Sequence, residues 1–152
     1  MTGGATGIGR AIAERFLKAG SDVVVCGRRE DRLRELRALG PKLHTVRADV
    51  TTAAEREALV ERVLREFPAL DVVVNNAGIQ RQARVLQETA SWAERQTEIA
   101  INFEAPVHLT SLFLPHLLAR PKSAIINVTS GLAFVPAGFA PVYAATKAAL
   151  HT

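Results

Sequence analysis

The sequence predicts an α/β fold built on a doubly wound parallel sheet, and three features carry that expectation. Short apolar runs alternate with helical patterns, as βαβ units require. A glycine-rich segment, TGGATGIG at residues 2–9, stands directly ahead of an amphipathic run. The chain is 152 residues long, which allows one domain, with 48% apolar and 22% charged residues and no disordered block.

The elements follow in order. Ile12, Phe16 and Leu17 recur at helical spacing and Gly20 supplies a stop signal, so a helix is expected over Ile8–Ala19. Apolar runs bounded by turn residues predict strands at Asp22–Cys26, Leu43–Arg47, Leu70–Asn75 and Ala124–Thr129. Helices are expected at Glu30–Leu39, where Glu30 and Asp31 suit the N-terminus, and at Ala53–Phe67. A long helix is expected over Trp92–Leu118 with a break near Pro106, and a last one from Pro141 onwards. Trp92 and its aliphatic neighbours read as packing residues. No repeats or low-complexity linkers interrupt the pattern.

Composition narrows the function classes. The one cysteine, Cys26, lies in an apolar run, which excludes a disulfide framework and reads as a small core residue in a reducing compartment. No apolar stretch approaches 18 residues, so no membrane partner is expected and the protein reads as cytoplasmic. The net charge of +4 and a pI near 9.8 would suit nucleic acid. The arginines, however, are scattered along helix faces (Arg32, Arg34 and Arg37; Arg56, Arg62 and Arg65) without interleaved aromatics, and read as solvated. His44, His108, His116 and His151 have no metal-ligand spacing, so no metal is expected.

Two motifs carry the chemistry. Glycines at 3, 7 and 9 let a backbone turn tightly and approach a pyrophosphate, whose charge then sits at a helix N-terminus, and Thr2 can hydrogen-bond across that loop. Tyr143 and Lys147 stand four apart in YAATK, hence on one helix face about 6 Å apart. At about 4 Å and an effective dielectric near 20, the lysine charge would favour the ionised phenol by roughly 4 kcal/mol, which suits a general acid/base. Either motif alone is common on solvated helices and in turns. Here they occur with Asp49-Val50, the segment NNAG (Asn75 to Gly78), Asn102 and Ser130, all in order, and Ser130 lies thirteen residues ahead of Tyr143. Gly27, followed by Arg28 and Arg29, occupies the place where an acidic residue would select a free ribose 2′-hydroxyl. Two guanidinium groups suit a 2′-phosphate instead, so NADP(H) is favoured over NAD(H).

From Thr2 to Thr152 the chain resembles the short-chain dehydrogenase/reductase superfamily in its compact single-domain branch, through TGxxxGxG and YxxxK. VVVCGRREDRL, NNAGIQR, INFEAPVHLTSLFLPHLL and INVTSGLAFVP look most like the DltE-like subgroup of bacterial oxidoreductases. The resemblance implies a Rossmann-like sheet and NAD(P)-dependent interconversion of a carbonyl and an alcohol on a small-molecule substrate, in a protein that forms homo-oligomers. It implies that Ser130 hydrogen-bonds the reacting oxygen, Tyr143 transfers the proton, Lys147 tunes the tyrosine and binds ribose hydroxyls, and Asn102 holds a water in a proton relay. Thr2, Gly3, Gly7, Ile8, Gly9, Arg28, Arg29, Asp49, Val50, Asn76, Ala77 and Gly78, with Tyr143 and Lys147, would contact the cofactor. Against the family pattern, the first strand and the C-terminal strands are absent from these 152 residues, so an incomplete sheet with two separated halves is expected. A catalytically inactive nucleotide-binding scaffold, or an inert fragment of such an enzyme, is the competing reading.

Overall fold

The computed structural model of the chain describes residues 1–81, 91–135 and 137–151. Strands β1 (Val23–Gly27) and β2 (Leu43–Arg47) pair in parallel, with Val23 opposite Leu43. Strands β3 (Val72–Asn75) and β4 (Ala124–Asn127) pair likewise, with Val72 opposite Ala124. Helix α1 (Gly7–Lys18) precedes β1, α2 (Glu30–Leu36) links β1 to β2, and α3 (Ala53–Glu66) links β2 to β3. Helices α4 (Trp92–Ile99) and α5 (Ala105–Leu118) lie between β3 and β4, and α6 (Pro141–His151) follows. No helix among the described residues is long and apolar enough to cross a membrane.

The expected sheet is thus seen as two two-stranded sheets, joined by the first three residues. The Met1 ammonium donates to the Val24 carbonyl at 2.7 Å, and the Cys26 amide donates to the Met1 carbonyl at 2.9 Å. The Gly3 amide donates to Cys26 and the Thr2 amide to Val74, each at 3.0 Å. The spatial order is therefore β2, β1, residues 1–3, β3, β4. Beyond Met1 the halves part around a slot of about 570 Å³, walled by Val23, Val24, Val72, Val73, Phe16 and Leu59 among others. Alternation along a strand directs the peptide groups of Val24 on β1 and of Val72 and Val74 on β3 towards this slot.

Separation of the halves is only partial, because a shared core runs beneath them. Cys26, Val46 and Val73 pack with Leu59, Val60 and Val63 of α3 and with Leu109, Phe113 and Leu117 of α5 in one buried cluster. Each large side chain so buried contributes about 1.5–3 kcal/mol. The opposite face of β1 and β2 packs on Ala13 of α1 and on Leu33 and Leu36 of α2.

Four expectations are corrected in detail. The break near Pro106 is a π-helical turn at Ala100–Glu104, after which Pro106 falls in the first turn of α5, where its missing N–H costs little. The last turn of the second helix tightens to a 3₁₀ turn at Arg37–Leu39. Trp92 is 68% exposed at the start of α4, which is fixed by a capping box between Ser91 and Glu94 rather than by the indole. Arg56 is not on a solvated face: it is 6% exposed, between α3 and α5.

Candidate active site

The glycine loop is stitched to the end of β3. Thr2 Oγ1 accepts from the Asn76 amide at 3.1 Å and the Ala77 amide at 3.0 Å, and Asn76 Nδ2 donates to the carbonyls of Thr2 and Gly3. This contact explains one glycine: a Cβ on Gly9 would lie 2.4 Å from both Gly3 O and Asn76 Nδ2, so any side chain would force the loop off the strand. Gly7 answers a different need. It opens α1 at φ 56, and a Cβ built there meets nothing within 4 Å. Thr6, at the N-cap, makes no side-chain capping bond. The first amides of α1 thus have no side-chain cap from Thr6 and could hold an anion.

A cavity of about 620 Å³ runs from this loop to α6. At the loop end its walls include Gly3, Ile8 and Gly9, with Arg28 and Arg29 beside them. Asp49, Val50, Asn76, Ala77 and Gly78 line its middle, and Tyr143 and Lys147 its far end. Arg29 Nη2 donates to Thr6 Oγ1 at 3.1 Å, which holds one guanidinium over the glycine loop. Arg28 lies 3.7 Å from Asp49. Burial opposes ionisation of Asp49, but bonds from the Thr51 amide and hydroxyl, with the Arg28 charge, outweigh it and hold the carboxyl below its usual range.

At the far end the sequence spacing places Lys147 one helical turn past Tyr143 in α6. Lys147 Nζ lies 5.8 Å from the centre of the Tyr143 ring and donates to the Val128 carbonyl at 2.8 Å. Burial lowers the pKa of this ammonium. Asn102, fully buried in the π turn, accepts from the Ile79 amide at 2.9 Å and donates to the Ile79 carbonyl and to Thr146 Oγ1. Its side chain thus clamps the loop after β3 to α6. Wide turns of this kind re-aim a side chain where a regular helix could not.

Not every expected residue lines the cavity. Thr2 braces the loop from behind, Gly7 sits at the helix start, and Asn102 acts beneath the floor. Thr129 is a lining residue, whereas Ser130 Oγ accepts from the Leu132 amide at 3.2 Å as the cap of a short 3₁₀ turn. That bond leaves the serine hydroxyl hydrogen free to be donated elsewhere. Sequence reading missed Thr6, Ile79 and Thr146, which position Arg29, Asn102 and α6. Thr6, inside the glycine loop, and Thr146, beside Lys147, carried a signal through their hydroxyls; Ile79 carried none.

Comparison with known proteins places the chain in a family. A family profile described as short chain dehydrogenase matches residues 1–152. An uncharacterized oxidoreductase of Bacillus subtilis strain 168, DltE, is 50% identical over 152 residues, all of this chain and 60% of that protein. The NADP-dependent 3-hydroxy acid dehydrogenase YdfG of Escherichia coli K12 is 34% identical over 149 residues, 97% of this chain and 60% of that protein. Among solved structures, the closed form of a serine dehydrogenase complexed with NADP+ superposes with a TM-score of 0.90 at 34% identity, over 98% of this chain and 60% of that one. The chain thus spans about 60% of the length of these relatives.

Proposed function

The chain belongs to the short-chain dehydrogenase family, and from that premise we propose that it serves NADP(H)-dependent interconversion of a carbonyl and an alcohol on a small molecule. One observation supports this reading above the others. A single continuous cavity has an uncapped helix start and two arginines at one end, and Tyr143 with Lys147 at the other. The room above Gly7 and the uncapped start of α1 suit a diphosphate, and Arg28 and Arg29 suit a 2′-phosphate. NADP-dependent action in YdfG, and NADP+ in the serine dehydrogenase structure, support the same preference.

The nicotinamide, when bound, supplies or takes the hydride. The chain's own residues orient the substrate and move the proton. Tyr143 gives its hydroxyl proton to the carbonyl oxygen during reduction and recovers it during oxidation. Ser130 donates a hydrogen bond to the same oxygen, which stabilises the charge that develops there. Lys147, held by Val128, keeps a positive charge beside the Tyr143 ring and offers its remaining N–H donors to ribose hydroxyls. Asn102 fixes α6 against the loop after β3, so that proton donor and cofactor groove keep one geometry. The test is to follow NADPH absorbance in the full protein with a panel of aldehydes and ketones. Carbonyl-dependent oxidation of NADPH, faster than that of NADH, is expected. Binding of neither nucleotide would overturn the reading.

A further inference from the structure

Arg56 and His108 form a buried polar pair that the proposed chemistry does not use. Arg56 stands in the first turn of α3 and is almost wholly enclosed. Its Nη1 donates to the carbonyl of Val50 at 2.7 Å, and its Nε donates to His108 Nδ1 of α5 at 3.0 Å. Val50 and its neighbours Ala48 and Asp49 form the wall of the cavity next to Arg28. A guanidinium carries its proton at every relevant pH and has no acceptor. The Nε–His108 bond therefore exists only while Nδ1 is unprotonated, which places the ring hydrogen on Nε2.

We propose that Arg56 is a positioning residue for the nucleotide-binding wall at Asp49–Val50, and that His108 makes this support pH-sensitive. The proposal rests on the nucleotide-binding reading above. Protonation of His108 replaces an acceptor with a donor and sets two positive charges 3.0 Å apart. Arg56 must then turn away from α5, and its grip on the Val50 carbonyl loosens with it. Among the described residues the charged groups facing His108 are Arg56 at 3.0 Å and Glu57 at 3.9 Å from Nε2, both on α3; within α5 its own carbonyl accepts from Ser111 Oγ. The wall itself faces Arg28 from the end of β1 and Glu55 from α3, the latter accepting from the Asp49 amide at 2.7 Å. None of these groups can replace the Nδ1 acceptor, since Glu57 approaches the opposite ring nitrogen.

NADP+ affinity of the full protein, measured calorimetrically between about pH 8 and about pH 5.5, the span in which imidazoles take up a proton, tests this. The 2′-phosphate also gains a proton in this span, so the difference between wild type and variants is the readout. His108→Asn places a non-titrating oxygen near the Nδ1 position. It is expected to stay within about twofold of wild type at the upper pH and to lose about five- to tenfold less affinity on acidification, the scale of one hydrogen bond. Arg56→Met is expected to weaken binding by about the same five- to tenfold at the upper pH and to respond to acid as His108→Asn does. Thermal unfolding at the upper pH identifies a variant that has failed to fold; the other then decides. A wild-type acid response retained in both variants, or in the folded one, overturns the proposal while nucleotide binding stands. No NADP+ binding by wild type at the upper pH removes the functional reading and this inference together.

Discussion

The α-ammonium of Met1 donates to the carbonyl oxygen of Val24 at 2.7 Å, in the place where a peptide N–H of a central strand would stand. The group is buried, and burial lowers its pKa, with the nearby Cys26 acting weakly in the other direction. For a chain that starts at this ammonium, a folded-state pKa below the unfolded value makes protonation unfavourable in the folded state, so its stability rises as pH climbs from the folded pKa towards about 8. Converting the amine to a peptide bond removes this cost at neutral pH.

An apolar, β-branched strand of four or five residues added ahead of Met1 is therefore expected to raise the unfolding temperature of the chain. It would fill the slot between β1 and β3 and give ladder partners to the peptide groups of Val24, Val72 and Val74 that face it, beyond the bonds the Val24 and Val74 carbonyls accept from Met1 and Thr2. N-terminal acetylation alone should give a smaller rise. Differential scanning fluorimetry of the three forms checks both effects, and an unchanged transition with the added strand would show that the slot is not a strand site.

The proposed preference for NADP(H) rests on the pair after Gly27. Arg28→Ala with Arg29→Ala is expected to weaken NADPH binding about tenfold or more while leaving NADH nearly unchanged, since each charge-assisted bond to phosphate is worth about 1.5–3 kcal/mol. Its bond to Thr6 at 3.1 Å already holds the Arg29 guanidinium over the loop, so Arg29 should contribute more than Arg28, which lies beside Asp49. Titrating both nucleotides against the double variant and each single variant checks this; an unaltered preference in the double variant removes the phosphate assignment.

The sequence was most legible where spacing dictates geometry. YAATK could only place Tyr143 and Lys147 on one face of α6, and the apolar runs of β1 to β4 could only pair in parallel across intervening helices. Legibility failed where tertiary contact overrode a local pattern. Arg56 looked like one more solvated arginine, because nothing in α3 reveals that Val50 and a histidine 52 residues away receive its donors. Pro106 pointed to a break, but the π turn before it absorbs the irregularity and turns Asn102 into the core. The gap at Met1 was expected to divide the sheet, yet three residues and the α3–α5 core hold its halves together.

Thr129 and Ser130, just past the end of β4, have different surroundings. Thr129 lines the cavity, whereas Ser130 caps the turn that begins at Gly131. Ser130→Ala is expected to lower turnover far more than Thr129→Ala, and to cost about 1 kcal/mol of stability through the lost cap. Steady-state rates and urea unfolding of the two variants test this, and the reverse order of rates would move the oxygen-binding role to Thr129.

Asp49 gives the protein a component of acid sensitivity. Its folded-state carboxyl is held below the usual range, so its contribution to stability is present above about pH 4 and disappears as pH falls through the folded value. Asp49→Asn should be less stable than wild type near neutrality and should show a flatter loss below about pH 4. Denaturant midpoints across that range measure the difference; parallel curves for the two proteins would remove Asp49 from the acid response.

The central claim is that Tyr143 transfers a proton in a cavity that binds the dinucleotide independently of its hydroxyl. Tyr143→Phe keeps the ring beside Lys147 and removes only the transferable proton. NADPH affinity and carbonyl-dependent turnover should therefore be measured together in wild type and this variant, under conditions where chemistry limits the rate. The expected result is affinity within about twofold of wild type and turnover lower by about 10²–10⁴-fold. Wild-type turnover in the phenylalanine variant would contradict the account.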